Sequence, residues 1–105
     1  MEKKQMKASV PFDETSRELL KDPETAAMYL EEFLADDDIE AFKLALRHVA
    51  DARLGGMTAL SEITHLNRES LYRTLSGKSN PRLDTLATIL GALGLRIGVI
   101  AVRER

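Results

Sequence analysis

A glycine pair, Gly55-Gly56, divides the helical patterning of this chain into two regimes. Upstream, apolar residues recur at helical spacing over long stretches. Ala26, Leu30, Phe33 and Leu34 share one face of a first stretch, and Ile39, Phe42, Leu46, Val49 and Arg53 share one stripe of a second. Downstream the apolar runs shorten and are broken by Asn, Pro and Gly. With 105 residues, such a pattern has room for one modest core. It has no room for a deep substrate cleft beside a separate cofactor domain.

The punctuation between these stretches has physical causes. Asp22-Pro23 starts a helix, since Asp accepts from free N–H groups and Pro fits the first helical position. This helix is expected to run to about Leu34. Asp36-Asp37-Asp38 ends it, and Asp37 with Glu40 three residues on has the form of a capping box for the next. Gly55-Gly56 stops that helix, because glycine accepts the left-handed conformation. Thr58 caps a short helix holding Ala59, Leu60 and Ile63, and Asn67 caps another from Arg68 to Ser76. Gly77 to Pro81 is a loop. Leu83, Leu86, Ile89, Leu90 and Leu93 form a last helical stripe, closed by Gly94. Leu95 to Val102 alternates and is β-branched, so it reads as a strand. The expected organisation is an N-terminal arm over 1–21, a helical domain over 22–94 and a C-terminal strand over 95–105. A lone strand leaves backbone groups unpaired. Its partner is expected in a second copy, the segment Lys7 to Phe12, or both. The first option places Leu95, Ile97, Val99 and Ala101 at a homodimer contact.

Composition removes several classes. The chain has no Cys, which excludes disulfides, thiolate metal sites and Cys nucleophiles. No nucleophile–base pair or carboxylate dyad stands out, so an enzyme is not expected, and neither is a cofactor. His48 and His65 lie on different elements with no Cys nearby, and read as ordinary surface or turn histidines, not metal ligands. Met28 and Met57 read as core fillers. No signal peptide or membrane span is expected, and the default location is the cytoplasm. The net charge of -2 argues weakly against a nucleic-acid binder. That total hides an asymmetry. Residues 13–40 hold eleven acids against Arg17 and Lys21, whereas residues 41–105 hold ten bases and five acids. Segmental asymmetry of this kind points to nucleic acid or to a basic partner, with solvated helix faces as the bland alternative.

The segment TALSEITHLNRESLYRTLSG, Thr58 to Gly77, has the pattern of a helix-turn-helix. Leu60, Ile63, Leu66, Leu71 and Leu75 are apolar so that two helices can pack on each other and on the body. The second helix then presents Arg68, Glu69, Tyr72 and Arg73 outward. Arg68 and Arg73 can each donate two hydrogen bonds to guanine, and Glu69 can accept from cytosine. Thr58, Asn67, Tyr72, Lys78 and Asn80 are the expected backbone contacts. From Asn67 to Arg82 there are four bases, Arg68, Arg73, Lys78 and Arg82, against Glu69 alone. That local concentration, not the whole-chain charge, is what a phosphate backbone would meet.

LNRESLYRTLSGKSNPRLDTLATILGALGL resembles the helix-turn-helix of the Xre/lambda-repressor-like superfamily. More narrowly, it resembles the addiction-module antidote proteins, which are HigA-like antitoxins. The narrower resemblance also covers DPETAAMYLEEFLADDDIEAFKLALRHVADARLGGMTALSE, and so reaches from about Asp22 to Leu95. It implies an all-α, five-helix domain that binds double-stranded operator DNA as a homodimer. It also implies repression of its own operon and neutralisation of a small toxin of the RelE/ParE-like type, a basic partner for the acidic segment 13–40. Two positions depart from the superfamily pattern. His65 stands where the turn usually has Gly, so the turn needs either a non-Gly residue at strained φ or another shape. Arg82 stands where a Ser or Thr usually opens the last helix. Two other functions fit the residues: a stand-alone prophage-type regulator, and a protein-interaction module without DNA binding.

Overall fold

A computed structural model describes residues 12–77 and 79–103. Four of its helices begin at an Asp or Asn side chain that accepts from a backbone N–H in the first turn. Asp13 accepts from Ser16 to open α1 (Glu14–Leu19), and Asp22 from Thr25 to open α2 (Pro23–Ala35). Asp38 accepts from Ala41 to open α3 (Ile39–Leu54), and Asn67 from Ser70 to open α5 (Arg68–Thr74). The carboxyls of Asp13 and Asp22 are held below their ordinary value, chiefly by those backbone donors. Two helices start without a side-chain cap bond: α4 (Met57–Thr64) at Gly56 and α6 (Leu83–Ala92) at Arg82. Arg82 pairs instead with Asp84 at 2.9 Å.

The long helix α3 is the floor of the molecule. It packs against α1, α2 and α4, and α4 in turn packs against α5 and α6. From α3, Phe42, Ala45, Leu46, Val49 and Ala50 are buried. They meet Ala26, Tyr29, Leu30 and Phe33 of α2, Leu60 of α4, and Leu71, Leu75, Ile89 and Leu93 from the later elements. Gly55 ends α3 at φ 98°, a left-handed conformation that glycine adopts without steric cost. Arg53 then fastens the far end. Its Nε donates to the Leu93 carbonyl at 2.9 Å and an Nη to the Lys21 carbonyl at 2.5 Å. This fixes Gly94, at φ 80°, where a Cβ would meet that guanidinium at 3.3 Å.

The structure corrects several expectations. The fold is all-α, but the described residues hold six helices rather than five, and α1 is the addition. It lies within the stretch expected to be an arm, and Arg17 ties it to Asp51 of α3 at 3.0 Å. Residues 95–103 form no strand. Leu95 packs on the core and bonds back to Leu90, but Ile97, Val99, Ile100 and Val102 are exposed. The alternating pattern supplies side chains for a ladder without supplying a neighbouring strand, and backbone pairing needs both. The candidate partner segment Lys7 to Phe12 lies almost wholly outside the described residues, and Phe12 instead stacks on His48. The third helix is capped by Asp38 rather than Asp37, which has φ 57°. Gly56, not Thr58, occupies the cap of α4. Met57 is buried, but Met28 faces outward, as do Ile63 and Leu83 from the expected apolar faces.

His48 is not a surface histidine. Its ring stacks on Phe12 with centroids 4.4 Å apart, and its Nδ1 lies 3.0 Å from the Tyr29 hydroxyl. Burial pushes the Tyr29 phenol up to about 12. The phenol therefore stays neutral, and it donates to Nδ1 in the tautomer that carries its proton on Nε2. Burial, aided by the Arg47 charge, holds the His48 pKa below its ordinary 6.5. The unfolded chain thus binds a proton here at a pH where the folded one does not. Stability from this site is complete above the unfolded value of 6.5 and is lost as pH falls toward the lower folded value. The thermal midpoint is expected to drop between about pH 7.5 and pH 5.5. His48→Gln should flatten the profile in that window and leave the steeper loss at carboxylate pH in place.

Candidate nucleic-acid interface

The stretch from α4 to α5 is built by a three-residue connection, His65-Leu66-Asn67. His65 takes the left-handed conformation at φ 63° and ψ 21°, the first of the two alternatives that a missing turn glycine leaves. Hydrogen bonds hold the turn in place. The His65 N–H donates to the Ser61 carbonyl at 2.8 Å, and the Ser61 hydroxyl donates to the Leu66 carbonyl at 2.8 Å. The Thr64 hydroxyl donates back to Leu60 and accepts from the Leu66 N–H at 3.2 Å. The left-handed residue therefore sits inside a network that satisfies the backbone groups on both sides of it.

Helix α5 has seven residues, roughly 10 Å of axis. Leu71 is buried, and so is Leu75 at its end, and both lie against the core beneath. Arg68, Glu69, Tyr72 and Arg73 are all exposed. Arg68 and Tyr72, and Glu69 and Arg73, are four apart, so the four side chains make two adjacent ridges on one outward face. Of the expected backbone contacts, Thr58 is exposed at the start of α4 and receives a hydrogen bond from an Arg68 Nη at 3.2 Å. The structure thus joins two residues that the sequence treats separately. Asn67 commits its side-chain oxygen to the Ser70 N–H at 3.1 Å. Asn80 is exposed on the loop after α5, and Lys78 lies outside the described residues. Leu95, Ile97, Val99 and Ala101, expected at a dimer contact, sit apart on the C-terminal segment. Among the described residues no group of three or more His, Asp or Glu is placed to hold a metal ion.

Two residues of α3 belong to this region and were missed from the sequence. Lys43 is almost wholly buried, and its Nζ donates to the carbonyls of Gly77 at 2.8 Å and Ser79 at 2.5 Å. It anchors the loop that follows α5, and the Ser79 hydroxyl returns to the Arg73 carbonyl at 2.9 Å. The signal was present: Lys43 falls on the apolar stripe of α3, where a cation must find buried acceptors. The second is Arg47, whose guanidinium lies 5.5 Å from the centre of the Tyr72 ring. A cation over an aromatic face favours one ring orientation. No periodicity reveals a contact between helices so far apart in the chain. Lys43→Met keeps the bulk and strands two carbonyls, so chemical denaturation should show a loss of about 1–3 kcal/mol. Amide exchange should quicken at residues 76–80.

The fold and this face define a small all-helical protein that presents one short polar helix on a rigid base. A family model described as "Probable addiction module antidote protein" matches residues 9–101, and the chain belongs to that family. A relative from Haemophilus influenzae (strain ATCC 51907 / DSM 11121 / KW20 / Rd), described as an uncharacterized protein, is 37% identical over 82 residues. That alignment covers 78% of this chain and 82% of the relative. No solved structure matches the chain. Among the described residues, no helix is long and apolar enough to cross a membrane.

Proposed function

We propose that this chain is the DNA-binding antitoxin of a type II toxin–antitoxin module. In this reading it represses its own operon as a homodimer and neutralises a small basic toxin of the RelE/ParE-like type. The antidote family supports the antitoxin half. The Xre-like placement rests on the resemblance of Leu66 to Leu95, and the HigA-like placement and the toxin type on the resemblance from about Asp22 to Leu95.

One observation carries the DNA-binding half: the four polar residues of α5 are exposed together, while Leu71 beneath them is buried. A helix of this length fits a major groove about 12 Å wide. Arg68, Glu69 and Arg73 then reach base edges. Thr58, Asn67, Tyr72, Asn80 and Lys78 meet the sugar–phosphate backbone. Leu95, Ile97, Val99 and Ala101 supply the dimer contact, with Val99 almost fully exposed in the single chain. Repression follows from occupancy of the promoter, with no catalytic step and no cofactor.

Binding to the intergenic DNA upstream of the gene, followed by fluorescence anisotropy, tests this. Arg73→Ala should weaken specific binding by about 1–3 kcal/mol, the worth of one bidentate guanine contact. Lys78→Ala should weaken all sequences alike and shallow the salt dependence by about one unit of slope. Unchanged operator affinity in Arg73→Ala would remove that residue from the readout.

A further inference from the structure

Among the described residues, the acids of α2 and its C-terminal turn have no ion-pair partner. Between Asp22 and Glu40 the sequence holds eight acids and no base. The three ion pairs of the described residues involve none of these acids. Like charges gathered on one helix destabilise it; Asp22 and Asp38 cap helices, but the acids between them pair with no base among the described residues. Apolar side chains of α2 and the start of α3 also reach solvent. Met28 is 68% exposed, Leu34 42% and Ile39 41%.

Beside this face lies a hollow of about 300 Å³. Leu30, Leu34 and Glu31 of α2 line one side, Phe42 and Leu90 the base, and Arg96, Ile97 and Ile100 of the C-terminal segment the other side, so its charged lining is one acid and one base. An apolar hollow beside a run of acids that have no ion-pair partner among the described residues matches one kind of occupant. That occupant is a protein segment with apolar side chains flanked by Lys or Arg, the cations meeting the acids of α2 and its C-terminal turn.

We infer that this groove between α2 and the C-terminal segment is the docking surface for a cationic partner protein. In the reading proposed above, on which this inference rests, the partner is the toxin. Opposite charge speeds the encounter, and burial of Leu34 and Ile100 slows release. The arrangement separates two contacts by charge: acids for the protein partner on α2, bases for the nucleic acid on α5.

The test is co-expression of the full chain with the protein encoded by the adjacent gene, then purification and titration of the complex. Leu34→Asp, at an already exposed position, should weaken the complex by about tenfold or more. It should leave thermal stability, DNA affinity and the oligomeric state of the chain alone unchanged. Glu31→Lys should slow association and flatten its salt dependence, whereas the same charge change at Glu14 on α1 should do neither. A complex indifferent to both groove substitutions overturns the docking surface and leaves the antitoxin reading standing. A change of the chain's own oligomeric state in Leu34→Asp also overturns it, because the occupant is then a second copy. If removal of residues 1–11 alone opens the hollow to hydrogen exchange, the occupant is that segment, and the inference fails again. Failure of the two proteins to associate at all contradicts the antitoxin reading itself.

Discussion

The burial of α4 underlies the rest of the structure. This eight-residue helix touches α3, α5 and α6, and its Leu60 is wholly enclosed. Alone, a helix of that length is unstable in water. It exists because Met57 and Leu60 are held by α3 below and because α5 and α6 close over it. The outward helix depends on this contact at one remove. Helix α5 is shorter still, and its position follows from α4, the locked His65 turn and the Lys43 anchor at its far end. The polar face of α5 is thus rigid because nearly all its apolar support is concentrated under a few residues.

Charge is arranged with the same economy. A near-neutral chain carries an acidic α2 and a basic stretch around α5, each with room to act without the other. Ion pairs within the described residues are few, and the Arg17–Asp51 pair sits at the α1–α3 contact. Exposed pairs of this kind contribute little to stability. The fold is held by apolar burial, by caps at four helix starts and by two cations that donate to backbone carbonyls, the buried Lys43 and the half-buried Arg53. The acids of α2 stay on the surface without an ion-pair partner among the described residues.

Much of this was legible in the sequence. Asp22-Pro23, Gly55, Asn67 and Gly94 mark real boundaries, because caps and left-handed residues act locally and leave local signatures. The outward set of Arg68, Glu69, Tyr72 and Arg73 followed from the spacing of Leu71 and Leu75. Features that depend on distant neighbours were not legible. The segment after Leu95 has a strand's composition, but among the described residues there is no strand beside it. His48 gains its burial from Phe12 and Tyr29, and Lys43 its acceptors from a loop more than thirty residues away. Helix α1 is six residues long, and its polar sequence shows no periodic face, so only its contact with α3 reveals it. Met28 and Ile63 fit core stripes by type and spacing, yet the faces they occupy have no helix opposite.

The central claim is that α5 reads duplex DNA as one half of a symmetric dimer. Footprinting of the full chain on the DNA upstream of its gene tests that most directly. The account predicts two protected major-groove patches, centred about one helical turn, roughly 34 Å, apart. Both should vanish when Arg68 and Arg73 are replaced together by Ala. The absence of protection on that DNA at low salt, with the protein folded, would contradict it.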